Sequence, residues 1–317
     1  MRIHTDFTHI EEIINPVATI GAFDGVHLGH KKIISHVIDA AKKIRGESVV
    51  ITFSPHPRIV LNPKDTSFKT INTHLDKIDR FYYTGIDHLI VIPFNREYAA
   101  LSSEEFVRDL LVKKLKITKL IVGYDLHIGS DRMGGIDAFR KLGRKYGFEV
   151  EEISALDIQN ATVSSTAIRN ALTTGNITEA NALLGYDYFV YGRVVYGNQI
   201  GKQLGFPTAN IQIKDAHKML PCNGVYVVTV DWNGQHYGGM CNVGIRPTIS
   251  HSKLTVEVHI FNFDRNIYLD YLSVSFIDRI RDERRFDDLR SLRFQLEKDQ
   301  KYAIDLLKTY DSKLANF

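Results

Sequence analysis

The sequence predicts an α/β chain in two parts: an N-terminal domain on a parallel sheet, then a C-terminal antiparallel β-barrel with a closing α-helix. Three observations predict it. In the first half, short apolar segments alternate with helical stretches, the pattern of a parallel sheet with crossover helices. Near Gly185 the chain changes to runs rich in β-branched and aromatic residues, which suit pleated, half-buried strands. After those runs, apolar residues recur at helical spacing within a strongly charged segment.

Taken in order, the apolar segments at 17–20, 48–53, 88–93 and 119–123 read as buried parallel strands, with helices over Lys31–Arg45, Ile71–Tyr83 and Glu104–Leu115. Lys113, Lys114 and Lys116 read as the solvated end of one such helix. The boundary falls around 180–186, giving domains 1–183 and 184–317. Beyond it, DYFVYGRVVYG, GVYVVTVDWNGQHYGGMCNVG, LTVEVHIFNF and YLSVSFI read as barrel strands, with Asn233-Gly234 as a hairpin turn. Leu289, Leu292, Leu296, Ala303, Leu306 and Tyr310 mark the closing helix.

Composition narrows the class. With 317 residues and 44% hydrophobic content the chain can bury two cores. Forty basic against 37 acidic residues, a net charge of +3, does not provide the field for broad nucleic-acid binding. Cys222 and Cys241 form neither a disulfide framework nor a CxxC metal site and read as reduced thiols. No apolar run reaches the ~20 residues of a membrane span, and MRIHTDFTHIEEI carries charges where a signal peptide is apolar. A cytoplasmic location is expected.

The first candidate site is VATIGAFDGVHLGH, residues 17–30. A strand runs into turns at Gly21 and Gly25, around Phe23, and an amphipathic run begins near Gly29. The helix N-terminus attracts anions, and His27 and His30 can donate hydrogen bonds to phosphoryl oxygens. A metal pair is the other reading of HxxH, but the glutamate of HExxH is missing. Three further segments follow strands or open helices. TFSPHP (52–57) holds an extended turn that leaves Phe53 and His56 at the carboxyl end of the sheet. VGYDLHIGSDRMGG (122–135) combines Asp125, Arg132 and glycines, and VSSTAIR (163–169) sets Ser164, Ser165 and Thr166 at a helix cap with Arg169 a turn inside. Capping alone would explain those hydroxyls equally well.

The second half carries GNQIGKQLGFPTAN, residues 197–210. Gly197, Gly201 and Gly205 beside Lys202 suit close phosphate approach. Thr208 and Asn210, two apart on an extended chain, can offer two oxygens to one hard cation. A turn followed by an ordinary strand would also produce TAN. In LTVEVHIF, Leu254, Val256, Val258 and Ile260 share one face and Thr255, Glu257 and His259 the other. Glu257 is therefore either solvated or a general base facing a bound alcohol.

GAFDGVHLGH resembles the Rossmann-like HxGH nucleotidyltransferases, and most of all their flavin-nucleotide branch. GFPTAN (205–210), NVGIRPT (242–248) and VEVHIF (256–261) match the riboflavin kinase pattern in order. The chain is therefore identified as a member of the bifunctional riboflavin kinase/FAD synthetase family, over nearly its whole length. The resemblance implies phosphorylation of riboflavin to FMN and adenylylation of FMN to FAD with pyrophosphate release, each using ATP with Mg²⁺. His27 and His30 would bind ATP phosphates together with Gly21, Phe23, Gly25 and Gly29, and Ser164, Thr166 and Arg169 would bind the triphosphate. Phe53, Pro55, His56 and Asp125 would border FMN. In the barrel, Gly197, Gly201 and Lys202 would approach nucleotide, Phe206 and Arg246 flavin, Thr208 and Asn210 the metal, and Glu257 would be the base.

Four positions depart from the family pattern: Ser54, the Leu126–His127–Ile128 run, Lys202 in place of arginine, and Leu269 where glycine is usual. Leu269 motivates an alternative, a monofunctional FMN adenylyltransferase with a flavin-binding but inactive barrel. A flavin-sensing regulator without turnover is the other alternative. The expected partners are small molecules only: riboflavin, FMN and ATP.

Overall fold

The computed structural model describes residues 1–5, 10, 12–123, 129–130, 136–153, 163–197, 200–247 and 252–314. Within these, Ile200, Arg246, Pro247, Ser252, Lys253 and 311–314 are described by backbone alone. The chain divides into two compact units, Met1–Ser165 and Thr166–Phe317.

The first unit is built on a parallel sheet of β1 (Arg2–His4), β2 (Val17–Ile20), β3 (Ser48–Ser54), β4 (His88–Pro93), β5 (Lys119–Gly123) and β6 (Glu149–Ile153). Their order is β1-β4-β3-β2-β5-β6. Every residue of β2 is buried and all but the last of β3, as strands covered on both faces require. The chain walks from β2 through β3 to β4 and then returns to β5 on the other side of β2. The order therefore reverses beside β2, and a crevice for ligands opens outside the carboxyl ends there. Around the sheet lie α1 (Leu28–Lys43), α2 (Pro57–Leu61), α3 (His74–Tyr82), α4 (Arg96–Ala100), α5 (Ser103–Phe106) and α6 (Ile136–Tyr146).

Several boundaries differ from the sequence expectations for physical reasons. The first helix starts at Leu28 rather than Lys31, because His27 is its N-cap. The third starts at His74 rather than Ile71, closed by a Thr73–Asp76 capping box, while the backbone N–H groups of Ile71 and Asn72 donate to the Asp24 carboxylate. Pro57 does not extend the turn after β3 but opens α2, where its missing N–H costs nothing. The helix expected over Glu104–Leu115 is α5 continued by a π-helical Val107–Val112.

The second unit opens on α7 (Ser165–Thr174), all but its first residue, and α8 (Ile177–Leu184), which lead to a closed antiparallel barrel. Its strands are β7 (Phe189–Val195), β8 (Ala209–Gln212), β9 (Gly224–Trp232), β10 (Gln235–Pro247), β11 (Ser252–Ile260) and β12 (Tyr271–Arg281), in the cyclic order β7-β8-β11-β10-β9-β12. The short α9 (Ile200–Gln203) lies between β7 and β8. Asn233 and Gly234 both take positive φ, 51° and 74°, as a two-residue hairpin of this twist needs. The closing helix α10 (Leu289–Leu314) packs Ala303 and Leu307 against Val227, Met240, Phe261 and Ile277 of the barrel. Arg281 donates to both carboxylate oxygens of buried Asp299 at 2.9 and 3.2 Å from Nε, fastening β12 to α10. Both cysteines are free.

Candidate active sites

The loop after β2 is held in an unfavourable shape. Phe23, Gly25 and Val26 have φ of 47°, 92° and 38°. Glycine accepts this freely, but a β-branched valine there is strained. Asp24 pins the loop: its buried carboxylate accepts from Ile71 N at 3.0 Å and Asn72 N at 3.2 Å, and its carbonyl accepts from the Ser165 hydroxyl at 2.8 Å.

This shape stacks the imidazoles of His27 and His30, centroids 3.6 Å apart and planes 17° from parallel, with the edge of Phe23 against His30. A Cβ on Gly29 would come within 3.3 Å of the His27 ring, so glycine gives the stack its room. His27 Nδ1 accepts from the His30 backbone N–H at 3.3 Å. With Nδ1 accepting, a neutral His27 would carry its proton on Nε2. Burial, then the neighbouring His27 and Lys77, pushes the His30 pKa well below the usual histidine value. Its Nδ1 is buried with no hydrogen-bond partner. His30 is thus held neutral against the stacked His27 ring, with a buried ring nitrogen to offer a ligand.

Beside the loop lies a cavity of 480 Å³ lined by Gly21, Ala22, Phe53, His56, Phe94 and Tyr98, among others. The structure thus brings together Gly21, Phe53 and His56 of the residues predicted from sequence. Pro55 follows Ser54 through a cis peptide at the end of β3, and His56 caps α2, its Nδ1 accepting from Arg58 N at 3.1 Å. Phe94 meets Phe53 edge to face at 5.4 Å. Sequence reasoning missed Phe94, Tyr98, Leu101 and Phe106, although the aromatic residues just after β4 could have signalled them. It also missed Lys77, a buried lysine on the same face of α3 as Phe81. Ser164 stands at the N-cap position of α7 and Thr166 and Arg169 follow on that helix, in the second unit. Asp125 and Arg132 lie outside the described residues.

In the barrel, Gly201, Phe206, Thr208 and Glu257 line one cavity of 560 Å³, with Asn242, His259 and the 281–296 segment. A second, of 540 Å³, is lined by Lys202, Thr208, Phe263, Arg265 and Tyr268. Thr208 borders both. Glu257 stands opposite Asn210 on β8 and Asn242 on β10. His259 Nδ1 lies 2.8 Å from the Pro207 carbonyl, holding the turn between Phe206 and Thr208. The glycines here make room for protein as much as for ligand: a Cβ on Gly197 would fall 2.1 Å from Asn210 Nδ2, and one on Gly201 2.2 Å from the Phe206 carbonyl. Arg246 is described only as a backbone position on β10.

Two family models match, FAD synthetase over residues 9–167 and riboflavin kinase over 184–307. A bifunctional riboflavin kinase/FMN adenylyltransferase from Buchnera aphidicola (Schizaphis graminum) is 39% identical over 93% of this chain and 94% of its own. The chain belongs to the bifunctional riboflavin kinase/FMN adenylyltransferase family. Relatives of the same name from Pseudomonas fluorescens and Escherichia coli K12 are 37% and 34% identical, over 89% and 90% of this chain and 90% of their own. A crystal structure described as a macrolide-efflux protein from Streptococcus pneumoniae is 31% identical, covers 95% of this chain and 98% of that one, and superposes with a TM-score of 0.86.

Family membership gives the departure at Leu269 its structural meaning. Leu269 has a φ of 73°, where a glycine is comfortable and a leucine is not. The turn forms nevertheless, with Leu269 N donating to Val194 O at 2.9 Å and Arg193 Nε donating to Leu269 O at 3.0 Å. The side chain is half exposed.

Proposed function

We propose that residues 184–317 phosphorylate riboflavin to FMN and residues 1–183 adenylylate FMN to FAD, each step consuming ATP. The carrying observation is that each half presents its own reactive constellation beside a cavity large enough for a flavin: the stacked histidine pair in one, Glu257 with Thr208 in the other. No observation favours an inactive barrel or a sensor without turnover.

In adenylyl transfer an FMN phosphate oxygen attacks the α-phosphorus of ATP, the bond to the bridging oxygen of the β-phosphate breaks, and pyrophosphate leaves. The attacking oxygen is already anionic, so no protein nucleophile or base is needed. His27 and His30 donate to oxygens whose charge grows, while Gly21, Phe23, Gly25 and Gly29 shape the approach and Ser164, Thr166 and Arg169 hold the triphosphate. The isoalloxazine ring lies in the cavity of Phe53 and His56, and Pro55 and Asp125 would be further flavin contacts.

In phosphorylation Glu257 takes the proton of the riboflavin 5′-hydroxyl as that oxygen attacks the γ-phosphorus, and ADP leaves. Thr208 and Asn210 each carry a side-chain oxygen, the donor a hard cation accepts, so they would hold Mg²⁺. Mg²⁺ bound there would shield the triphosphate charge. Since Thr208 borders both barrel cavities, flavin occupies the one with Glu257 and Phe206, and nucleotide the one with Lys202; Arg246 would contact the flavin, and Gly197 and Gly201 the nucleotide. Both reactions run on small molecules, and we place them in the cytoplasm; among the described residues no helix is long and apolar enough to cross a membrane.

Incubation with riboflavin and Mg²⁺-ATP, followed by chromatographic separation of flavins, tests the proposal. FMN followed by FAD is expected. FAD formed only from supplied FMN would leave the barrel inactive, and unconverted bound flavin would make the protein a sensor.

A further inference from the structure

We propose that Lys77 is a positioning residue for both substrates of adenylyl transfer, fastening the phosphate loop to the wall of the flavin cavity with a single ammonium group. The inference rests on assigning that reaction to the first unit.

Lys77 projects from α3 and is 7% exposed. Its Nζ donates to Phe53 O at 2.7 Å, Ala22 O at 3.2 Å and Thr52 Oγ1 at 3.2 Å. An ammonium has three protons, and three oxygens from two segments take them. Ala22 belongs to the loop that carries the histidine pair. Phe53 is the next-to-last residue of β3, and both residues line the 480 Å³ cavity. The Thr52 hydroxyl, itself donating to Ala22 O at 3.1 Å, closes the triangle. One cation therefore sets the gap between the wall that meets phosphate and the wall that meets flavin. An ion this deeply buried is costly, and surface ties between these segments would not need one.

Charge supports the same role. The groups that face Lys77 are Asp24 on the loop, His30 on α1 and His74 on its own helix. Burial lowers its pKa to about 8, with Asp24 opposing. At neutral pH the ammonium remains charged and helps keep His30 unprotonated. On deprotonation, two protons remain for three acceptors, and one tether is lost.

Lys77→Met keeps the stem and removes the ammonium. In the full-length variant, FAD formation is measured with FMN and ATP each varied, beside riboflavin phosphorylation by the same preparation. The expected result is a rise of roughly tenfold in KM for both FMN and ATP, with phosphorylation unchanged. Wild-type KM values should also rise above pH about 8, and Lys77→Met should lack that limb. A role confined to stability would lower the melting temperature and leave KM and the pH limb alone, and that outcome overturns the inference. If Lys77→Met does not fold, Thr52→Val removes one acceptor at similar volume; both KM values should rise, and unchanged values overturn the inference. Continued FAD synthesis by His30→Ala would instead overturn the underlying site assignment.

Discussion

His30 is held neutral by its surroundings, and that ties the stability of the fold to pH. In an unfolded chain histidine titrates near 6.5, whereas burial and nearby positive groups hold His30 well below that value in the fold. Above pH about 7 both states are neutral and stability is full. As pH falls through the unfolded value the unfolded chain gains a proton that the folded chain refuses, so stability declines until the folded pKa is reached. His74, also lowered, adds in the same direction. We expect the melting temperature to fall between pH 7 and 5, with a shallower slope in His30→Asn; identical slopes would contradict this account. At Leu269 a different term decides. Since its φ of 73° strains a leucine and its side chain is half exposed, Leu269→Gly should stabilise the barrel by up to about 1 kcal/mol. Urea unfolding reads the change, and a loss of stability would show that the leucine packs more than it strains.

Among the elements, α10 has the clearest energetic role. A Cβ on Gly238 would approach Leu307 Cδ1 to 2.7 Å, so glycine in β10 admits the helix and Leu307 fills the contact. Leu307→Ala should cost about 2–5 kcal/mol, as large-to-small changes in a core do. Because Leu289, Leu292 and Leu296 wall the cavity of Glu257, phosphorylation should fail at lower temperature than adenylyl transfer. Activity–temperature curves for both reactions would reveal this, and parallel loss would contradict it. Strands β2 to β5 and the barrel hairpin were legible in the sequence because uninterrupted apolar runs and an Asn-Gly pair admit few alternatives. Strand β6 was not, since Glu149, Glu151 and Glu152 give an edge strand a polar composition, and β1 has only three residues. The motif segments were likewise legible as sequence patterns. Lys77 was not, because a lysine within HLDKIDRFY reads as solvated until the fold turns it beneath the phosphate loop. The aromatic lining from Phe94 and Tyr98 was hidden in a segment without periodicity.

At the scale of the whole molecule, family membership and the two constellations divide one chain between two ATP-dependent reactions on successive flavins. The near balance of charge agrees with substrates that are small and bound locally rather than by a broad basic face. The division of labour is the central claim, and the most direct measurement is parallel rates of FMN and FAD formation by His30→Ala and Glu257→Gln, each shown to be folded. Glu257→Gln should lose phosphorylation by roughly 10²-fold or more while keeping FAD formation from supplied FMN. His30→Ala should lose FAD formation and keep phosphorylation. Equal loss of both activities in either variant would contradict the claim.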